Sequence, residues 1–185
     1  TVIMVEKNHG ENIDIEKISL DDKKVYAVFS EARTTGVFQF ESDGMREYLK
    51  QLKPSCIGDL IAMNALYRPG PMANIPEFIA RKNGKSKIDY IHPNLEPVLK
   101  ETYGIIVYQE QVMQISQIVG GFSLAQGDML RRAMGKKKAD VMAAFKIDFV
   151  DGAVKQNYDK KLSVEIFDLL EKFAQYGFNK SHSTA

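Results

Sequence analysis

The chain carries a single cysteine, Cys56, in 185 residues. That excludes an internal disulfide framework and fits a reducing compartment, with the cytoplasm as the default expectation. No apolar run approaches the roughly 18 residues needed to cross a bilayer. The opening Thr1-Val2-Ile3-Met4-Val5-Glu6 lacks a basic segment followed by an apolar one, so no membrane is expected among the partners. Histidine is scarce: His9, His92 and His182 lie far apart, and neither Cys-x-x-Cys nor His-Glu-x-x-His occurs, so a zinc site is not expected. No two aspartates stand two positions apart, which removes the Asp-x-Asp arrangement of two-metal phosphoryl transfer. Asp148 and Asp151 share a helix face and read as solvated rather than metal-binding. There is no Gly-x-Ser-x-Gly elbow. Lys85-Ser86 follows Gly84 like the tail of a phosphate-binding loop, but Ile79 stands where that loop needs its first glycine. Independent catalysis finds no support in these residues.

Bulk charge is equally silent. The formal net charge is +1, which makes no general claim to nucleic acid, so any such binding has to come from a local patch. One patch exists. Leu130-Arg131-Arg132-Ala133-Met134-Gly135-Lys136-Lys137-Lys138 places five cations within eight positions. Arginine's planar fork can grip two phosphate oxygens, while lysine acts as a mobile point charge, which suits a polyphosphate or a nucleic-acid backbone. The competing reading is a solvated helix end, since last-turn cations are favourable against the helix dipole.

The spacing of apolar residues predicts a helix-rich fold with one small β element. Residues 7 to 20 read as a polar linker or arm, and Asp21-Asp22 as the cap of a helix to about Ala32. Thr34 to Phe40 alternates apolar and polar residues and predicts a short strand. Gly104 to Tyr108 predicts a second, paired with the first. Met45, Tyr48, Leu49 and Leu52 recur at helical steps up to Pro54, and Ser55 is placed to cap the helix that follows. Tyr67-Arg68-Pro69-Gly70-Pro71 ends that helix abruptly and holds Arg68 on a stiff turn. Phe78 and Ile79 mark a short helix closed by Asn83-Gly84, with loop from Lys85 to Pro97. Further helices are expected over Gln109–Val119 and Leu124–Met134, the latter ending at Gly135 in a left-handed position. Val141, Phe145, Phe149 and Val154 define another, and Val164, Phe167, Leu170 and Phe173 the last. The opening in a strand-like pattern and the ending at Ser181-His182-Ser183-Thr184-Ala185 without a helix stop read as a piece of something longer.

Outside the patch, two more cations stand out, each with two readings. Arg68 is either an anion clamp or a cap for carbonyls freed at Pro69. Lys180, in Tyr176-Gly177-Phe178-Asn179-Lys180-Ser181-His182-Ser183, either touches a phosphate or is an exposed loop residue. Tyr108 and Tyr176 could stack on bases or fill core, and Met129, Met134 and Met142 read as core filling. Residue chemistry alone therefore ends at a helical module with local anion-binding capacity.

Five strings, in this order, carry the chain further. They are Thr35-Gly36-Val37-Phe38-Gln39-Phe40-Glu41-Ser42, Ala65-Leu66-Tyr67-Arg68-Pro69-Gly70-Pro71, Tyr103 to Met113 (YGIIVYQEQVM), Met129 to Lys138 (MLRRAMGKKK) and Lys172 to Ser183 (KFAQYGFNKSHS). Together they resemble the C-family replicative polymerases, the alpha subunits of bacterial DNA polymerase III, over about Thr34 to Ala185. Residues 1–33 resemble the family more loosely. The resemblance implies a mainly α fold: a helical fingers domain at 34–185, truncated at its C-terminus, with a small two-stranded β element. Residues 1–33 would be a palm-proximal segment or linker, a short remnant of a palm of the polymerase beta nucleotidyltransferase type.

By the same resemblance, the intact protein is a DNA-directed DNA polymerase whose partners are dNTP, primer-template DNA, a sliding clamp and a proofreading exonuclease. Its Mg²⁺ ions are held by aspartates upstream of Thr1, so the isolated chain is expected to be inactive and to hold no metal. Arg131 and Arg132 match the family's arginine pair and are expected to grip the β- and γ-phosphates of the dNTP. Arg68 and Lys180 are expected as further phosphate contacts, and His182 as a contact to sugar or nascent pair. Lys136, Lys137 and Lys138 are expected to add field or to meet the template backbone. The non-enzymatic alternative is a helical scaffold whose basic strip binds only nucleic-acid backbone or a partner protein.

Overall fold

The fold was analysed in a computed structural model, which describes residues 2–136, 139–174 and 176–184; the side chains of Lys136, Ala139 and Ala174 are outside the description. The chain opens with α1 (Val2–His9), in which no residue is buried. A strand-like opening is therefore not what forms. Gly10 at φ +69 ends this helix, its N–H donating to Glu6 O at 2.9 Å, a left-handed stop that glycine adopts without steric cost.

Two of the next three helices have side-chain caps, and only that of Asp22 was expected from the sequence. Asp22 accepts from Lys24 N at the start of α2 (Lys23–Ser30), and Ser42 accepts from Met45 N at the start of α3 (Asp43–Leu52). Helix α4 (Ile57–Leu66) buries seven of its ten residues. Ser55 does not cap it; the Ser55 N–H and hydroxyl instead donate to Asp59 Oδ2 at 2.8 and 3.1 Å. A 3-10 turn at Pro71–Asn74 leads into α5 (Ile75–Lys82). The short α6 (Glu96–Leu99) is followed by α7 (Gln109–Ile118), α8 (Leu124–Lys136), α9 (Ala139–Lys155), α10 (Lys160–Ala174) and α11 (Lys180–Thr184).

The expected two-stranded element does not form among the described residues. Over Thr34 to Phe40 the chain makes two successive turns, with Val37 N donating to Thr34 O and Phe40 N to Val37 O. The buried Thr34 hydroxyl closes the loop onto Phe40 O at 2.5 Å. Gly36 and Gln39 both take positive φ, +79 and +66, which a strand cannot accommodate. The alternation there was not a burial pattern, since Phe38 is 79% exposed. Gly104 to Tyr108 is extended only toward its end, and its partner is not residues 34–40. Tyr108 makes one parallel bridge with Phe178.

Two further expectations change. Helix α8 runs through Gly135 to Lys136 instead of stopping there, because Leu130, Ala133 and Met134 dock its last turns on the core and tertiary packing outweighs glycine's low helix propensity. The closing segment, read as loop, folds into α11. Asn179 Oδ1 accepts from Ser181 N at 3.0 Å, and the Glu110 carboxylate accepts from Lys180 N at 3.2 and 3.3 Å. These carboxylate and amide oxygens satisfy the first N–H groups of a helix too short to stand alone.

Two hydrophobic clusters result. One gathers Met45, Leu49 and Leu52 of α3, most of α4, and Ile75 and Phe78 of α5. The other gathers Val112 and Ile115 of α7, Leu130 of α8, Phe149 of α9, and Phe167 and Leu170 of α10. The extended segment runs between them: Ile106 belongs to the second cluster and Val107 to the first, as successive side chains of an extended chain point to opposite sides. Tyr108 then closes into the first cluster, 1% exposed, and positions the start of α7 against the 176–180 segment.

Candidate functional site

Helix α8 presents Arg131 and Arg132, with Asp128 one turn earlier. At three- and four-residue spacing these side chains are neighbours on the helix surface. Asp128 Oδ1 accepts from Arg131 Nε and Nη2 at 2.9 and 2.7 Å, and Asp128 Oδ2 lies 2.8 Å from Arg132 Nε. One carboxylate thus pairs with both guanidinium groups. The hydrogen bonds from Arg131, aided by the charge of Arg132 and opposed by partial desolvation, hold the Asp128 carboxyl below its ordinary value. The Arg131 side chain is about one-third exposed, at 32%, and that of Arg132 is 68% exposed.

Arg131 also reaches another helix. Its Nη1 donates to Gln109 Oε1 at 3.3 Å, and Gln109 Nε2 donates in turn to Gly177 O at 3.1 Å. The backbone N–H of Gln109 donates to Phe178 O at 3.0 Å. Arg131 therefore uses three of its five N–H groups on Asp128 and Gln109. The other two, one on each terminal nitrogen, make no hydrogen bond with the described residues.

Arg68 meets the same segment from the other side. Its Nη2 donates to Tyr176 O at 2.8 Å, its Nε to Ala65 O at 2.9 Å, and its guanidinium carbon sits 4.7 Å from the centre of the Phe178 ring. The bond to Ala65 is the helix-end cap considered from the sequence, closing α4 where Pro69 follows. Desolvation lowers the Arg68 pKa from its ordinary value, a shift that leaves an arginine charged.

Lys180, at the start of α11, forms an ion pair with Glu101, Nζ standing 2.9 and 2.7 Å from the two carboxylate oxygens. The same Nζ lies 5.4 Å from the centre of the Tyr108 ring. Burial, reinforced by Glu101 and Glu110, raises the Tyr108 phenol well above its ordinary value. His182 is exposed and packs its ring against Phe178 at 5.8 Å. Lys136 closes α8, and Lys137 and Lys138 lie outside the described residues.

The structure thus ties Arg68 directly, and Arg131 through Gln109, to the 176–182 segment that itself carries Lys180 and His182. Arg132 contacts Asp128 and stands further out. A separate cleft of about 400 Å³ is lined by Pro71, Arg81, Ile105, Leu169, Phe173 and Tyr176 among others. None of the cations expected to hold phosphate lines it. The partners that sequence reasoning passed over are Asp128, Gln109 and Glu101. Asp128 was visible in the spacing to the arginines; the other two act across long stretches of chain.

The match to known proteins decides what these helices belong to. The family model described as "Bacterial DNA polymerase III alpha subunit finger domain" covers residues 1–157, including Arg68, Arg131 and Arg132. The chain belongs to this family. The DNA polymerase III subunit alpha of Borreliella burgdorferi is 57% identical over 171 residues, 92% of this chain. The subunit alpha of Staphylococcus aureus strain Mu50 is 50% identical over 184 residues, the whole chain. That of Halalkalibacterium halodurans is 49% identical over 181 residues, 98% of the chain. This chain spans 15%, 17% and 16% of those three proteins respectively. The mainly helical architecture agrees with a finger domain, and among the described residues no helix is long and apolar enough to cross a membrane.

Proposed function

We propose that this chain is the fingers part of a replicative DNA-directed DNA polymerase of the bacterial cytoplasm, where it holds the triphosphate of the incoming dNTP over the primer-template. The relatives that match over nearly its whole length are DNA polymerase III alpha subunits. In the reaction, the primer 3′-hydroxyl attacks the α-phosphate and pyrophosphate leaves, so charge grows on the leaving phosphates and catalysis rests on positioning and electrostatic stabilisation. Arg131 grips the β- and γ-phosphates, with Arg132 beside it. Arg68 and Lys180 supply field from the 176–180 side, His182 meets the sugar or the nascent pair, and Lys136, Lys137 and Lys138 meet template backbone. A sliding clamp and a proofreading exonuclease are met by other parts of the full-length subunit.

One observation carries the reading. Arg131 is anchored through Asp128 and Gln109, and one N–H on each terminal nitrogen has no hydrogen-bond partner among the described residues, leaving donors of the kind that pair with phosphate oxygens. An anchored fork loses less freedom on binding than a mobile one. Divalent metal chemistry belongs elsewhere. Among the described residues no three His, Cys, Asp or Glu side chains come together to hold an ion, so these residues do not fit a magnesium site. Carboxylates outside this chain would hold it.

Internal pairing favours a second reading. Asp128 and Glu101 already pair with Arg131, Arg132 and Lys180, as they would in a scaffold that merely touches nucleic-acid backbone. Kinetics separate the two. Arg131→Ala in the intact polymerase is expected to reduce kcat/KM for dNTP by about 10- to 100-fold, the worth of one charge-assisted contact, with primer-template affinity unchanged. Normal dNTP kinetics with DNA binding weakened equally on all templates would establish the scaffold reading instead.

A further inference from the structure

We infer that Gln109 is a positioning residue that couples the arginine pair of α8 to the 176–180 segment, so that Arg131 and Lys180 are set in place as one unit. The inference rests on the phosphate-gripping role proposed for Arg131.

Chemistry fixes the direction of each bond. A guanidinium only donates and a carbonyl only accepts, so the side chain between Arg131 Nη1 and Gly177 O has to accept at one end and donate at the other. An amide does both. Gln109 Oε1 takes the arginine N–H at 3.3 Å while Nε2 gives its hydrogen to Gly177 O at 3.1 Å. The main chain of the same residue is committed as well, its N–H bonded to Phe178 O at 3.0 Å. The main-chain N–H and one side-chain N–H of Gln109 thus go to neighbouring carbonyls of one short segment.

The segment is shaped to receive it. A β-carbon at position 177 would stand 2.9 Å from Gln109 Cγ, so glycine is what lets the glutamine side chain lie against this segment. The next residues carry the connection to the second cation: Phe178 bridges Tyr108, and the Lys180 N–H bonds the Glu110 carboxylate at 3.2 Å. Gln109 and Glu110 are the first two residues of α7. The α7 N-terminus therefore clamps 177–180 by three hydrogen bonds and holds Arg131 with a fourth. Glutamate at position 109 would keep the acceptor but repel Gly177 O, and alanine would lose both ends.

The test is a double-mutant cycle in the full-length polymerase, with hydrogen exchange on the same proteins. Gln109→Ala is expected to lower kcat/KM for dNTP by about five- to twentyfold in the parent and by less than about twofold in the Arg131→Ala background, as coupled neighbours do. Gln109→Glu, whose acidic group is favourable at a helix N-terminus and so protects folding, is expected to speed exchange of the amides at 177–180 by at least about fivefold. An equal kinetic effect of Gln109→Ala in both backgrounds, or unchanged exchange at 177–180 in Gln109→Glu, overturns the coupling while Arg131 keeps its role. If Arg131→Ala leaves dNTP kinetics untouched, the phosphate-gripping reading fails and the coupling fails with it.

Discussion

Gly70 and Tyr176 are in contact so close that a β-carbon on Gly70 would stand 2.6 Å from Cδ1 of the tyrosine ring. Gly70 also sits at φ +103, a conformation L side chains rarely adopt. The ring that covers it belongs to the residue whose carbonyl receives Arg68 Nη2. Gly70→Ala is expected to destabilise the protein by about 2–4 kcal/mol through backbone strain and overpacking together. Adding Tyr176→Ala should recover the overpacking part and leave the strain. Urea denaturation of the two single variants and the double variant measures this; strictly additive effects would show that ring and glycine do not interact.

Asp59 is 1% exposed and holds three elements together. It accepts from Ser55 N and Oγ and from Tyr103 Oη at 2.9 Å, with Lys82 Nζ 3.5 Å away. Removing one side of a buried ion pair strands the other, so Asp59→Ala is expected to cost about 3 kcal/mol. Tyr103→Phe loses one hydrogen bond and should cost about 1–2 kcal/mol. Thermal unfolding midpoints that rank the two variants in the opposite order would contradict this assignment.

Tyr26, Tyr103 and Tyr108 have phenols raised from the ordinary value of 10.0, in each case chiefly by burial. A raised acid group keeps its proton in the folded chain after the unfolded chain has lost it. Folding stability from these groups is therefore complete below pH 10 and declines as pH rises above it. Alkaline titration followed by tyrosinate absorbance is expected to show Tyr103 and Tyr108, the two with large shifts, ionising only as the chain unfolds, in a cooperative step well above pH 10. Smooth ionisation of all tyrosines near pH 10 with helicity intact would refute it.

Helix α9 passes close over the end of α7. A β-carbon at Gly152 would lie 2.9 Å from the carbonyl carbon of Gly120, and one at Gly120 would lie 3.1 Å from Phe149 Cε2. Neither glycine has positive φ, so this is a packing constraint and not a turn requirement. Gly152→Ala would gain helix propensity in solution, yet here it is expected to destabilise by about 1–3 kcal/mol because backbone must move to admit the methyl group. A stabilised variant in calorimetry would show that α9 has room to shift.

The helices were the legible part of the fold. Met45, Leu49 and Leu52 recur on one helical face and all three are buried; Phe167 and Leu170 do the same for α10. The cap at Asp22 was equally local and was read from the sequence; the one at Ser42 was not. Thr34 to Phe40 misled because alternation over seven residues describes a strand only if one side is buried, and here two positive φ angles curl the chain. In the site, the Asp128 pairing lay open in three- and four-residue spacing, whereas Gln109 meets Gly177 across 68 positions and Arg68 meets Tyr176 across 108.

By itself, the sequence determined the longer helices from α2 to α10 and the family, because an amphipathic helix is specified by residues three and four apart and the five motifs are strings of neighbours. Tertiary structure alone decided that Tyr108 bridges Phe178 and that Arg68, and Arg131 through Gln109, reach the segment beyond α10 that carries Lys180. Such pairings depend on how two hydrophobic clusters close around the extended segment between them. No local preference encodes a contact made by folding a hundred residues back onto a glycine.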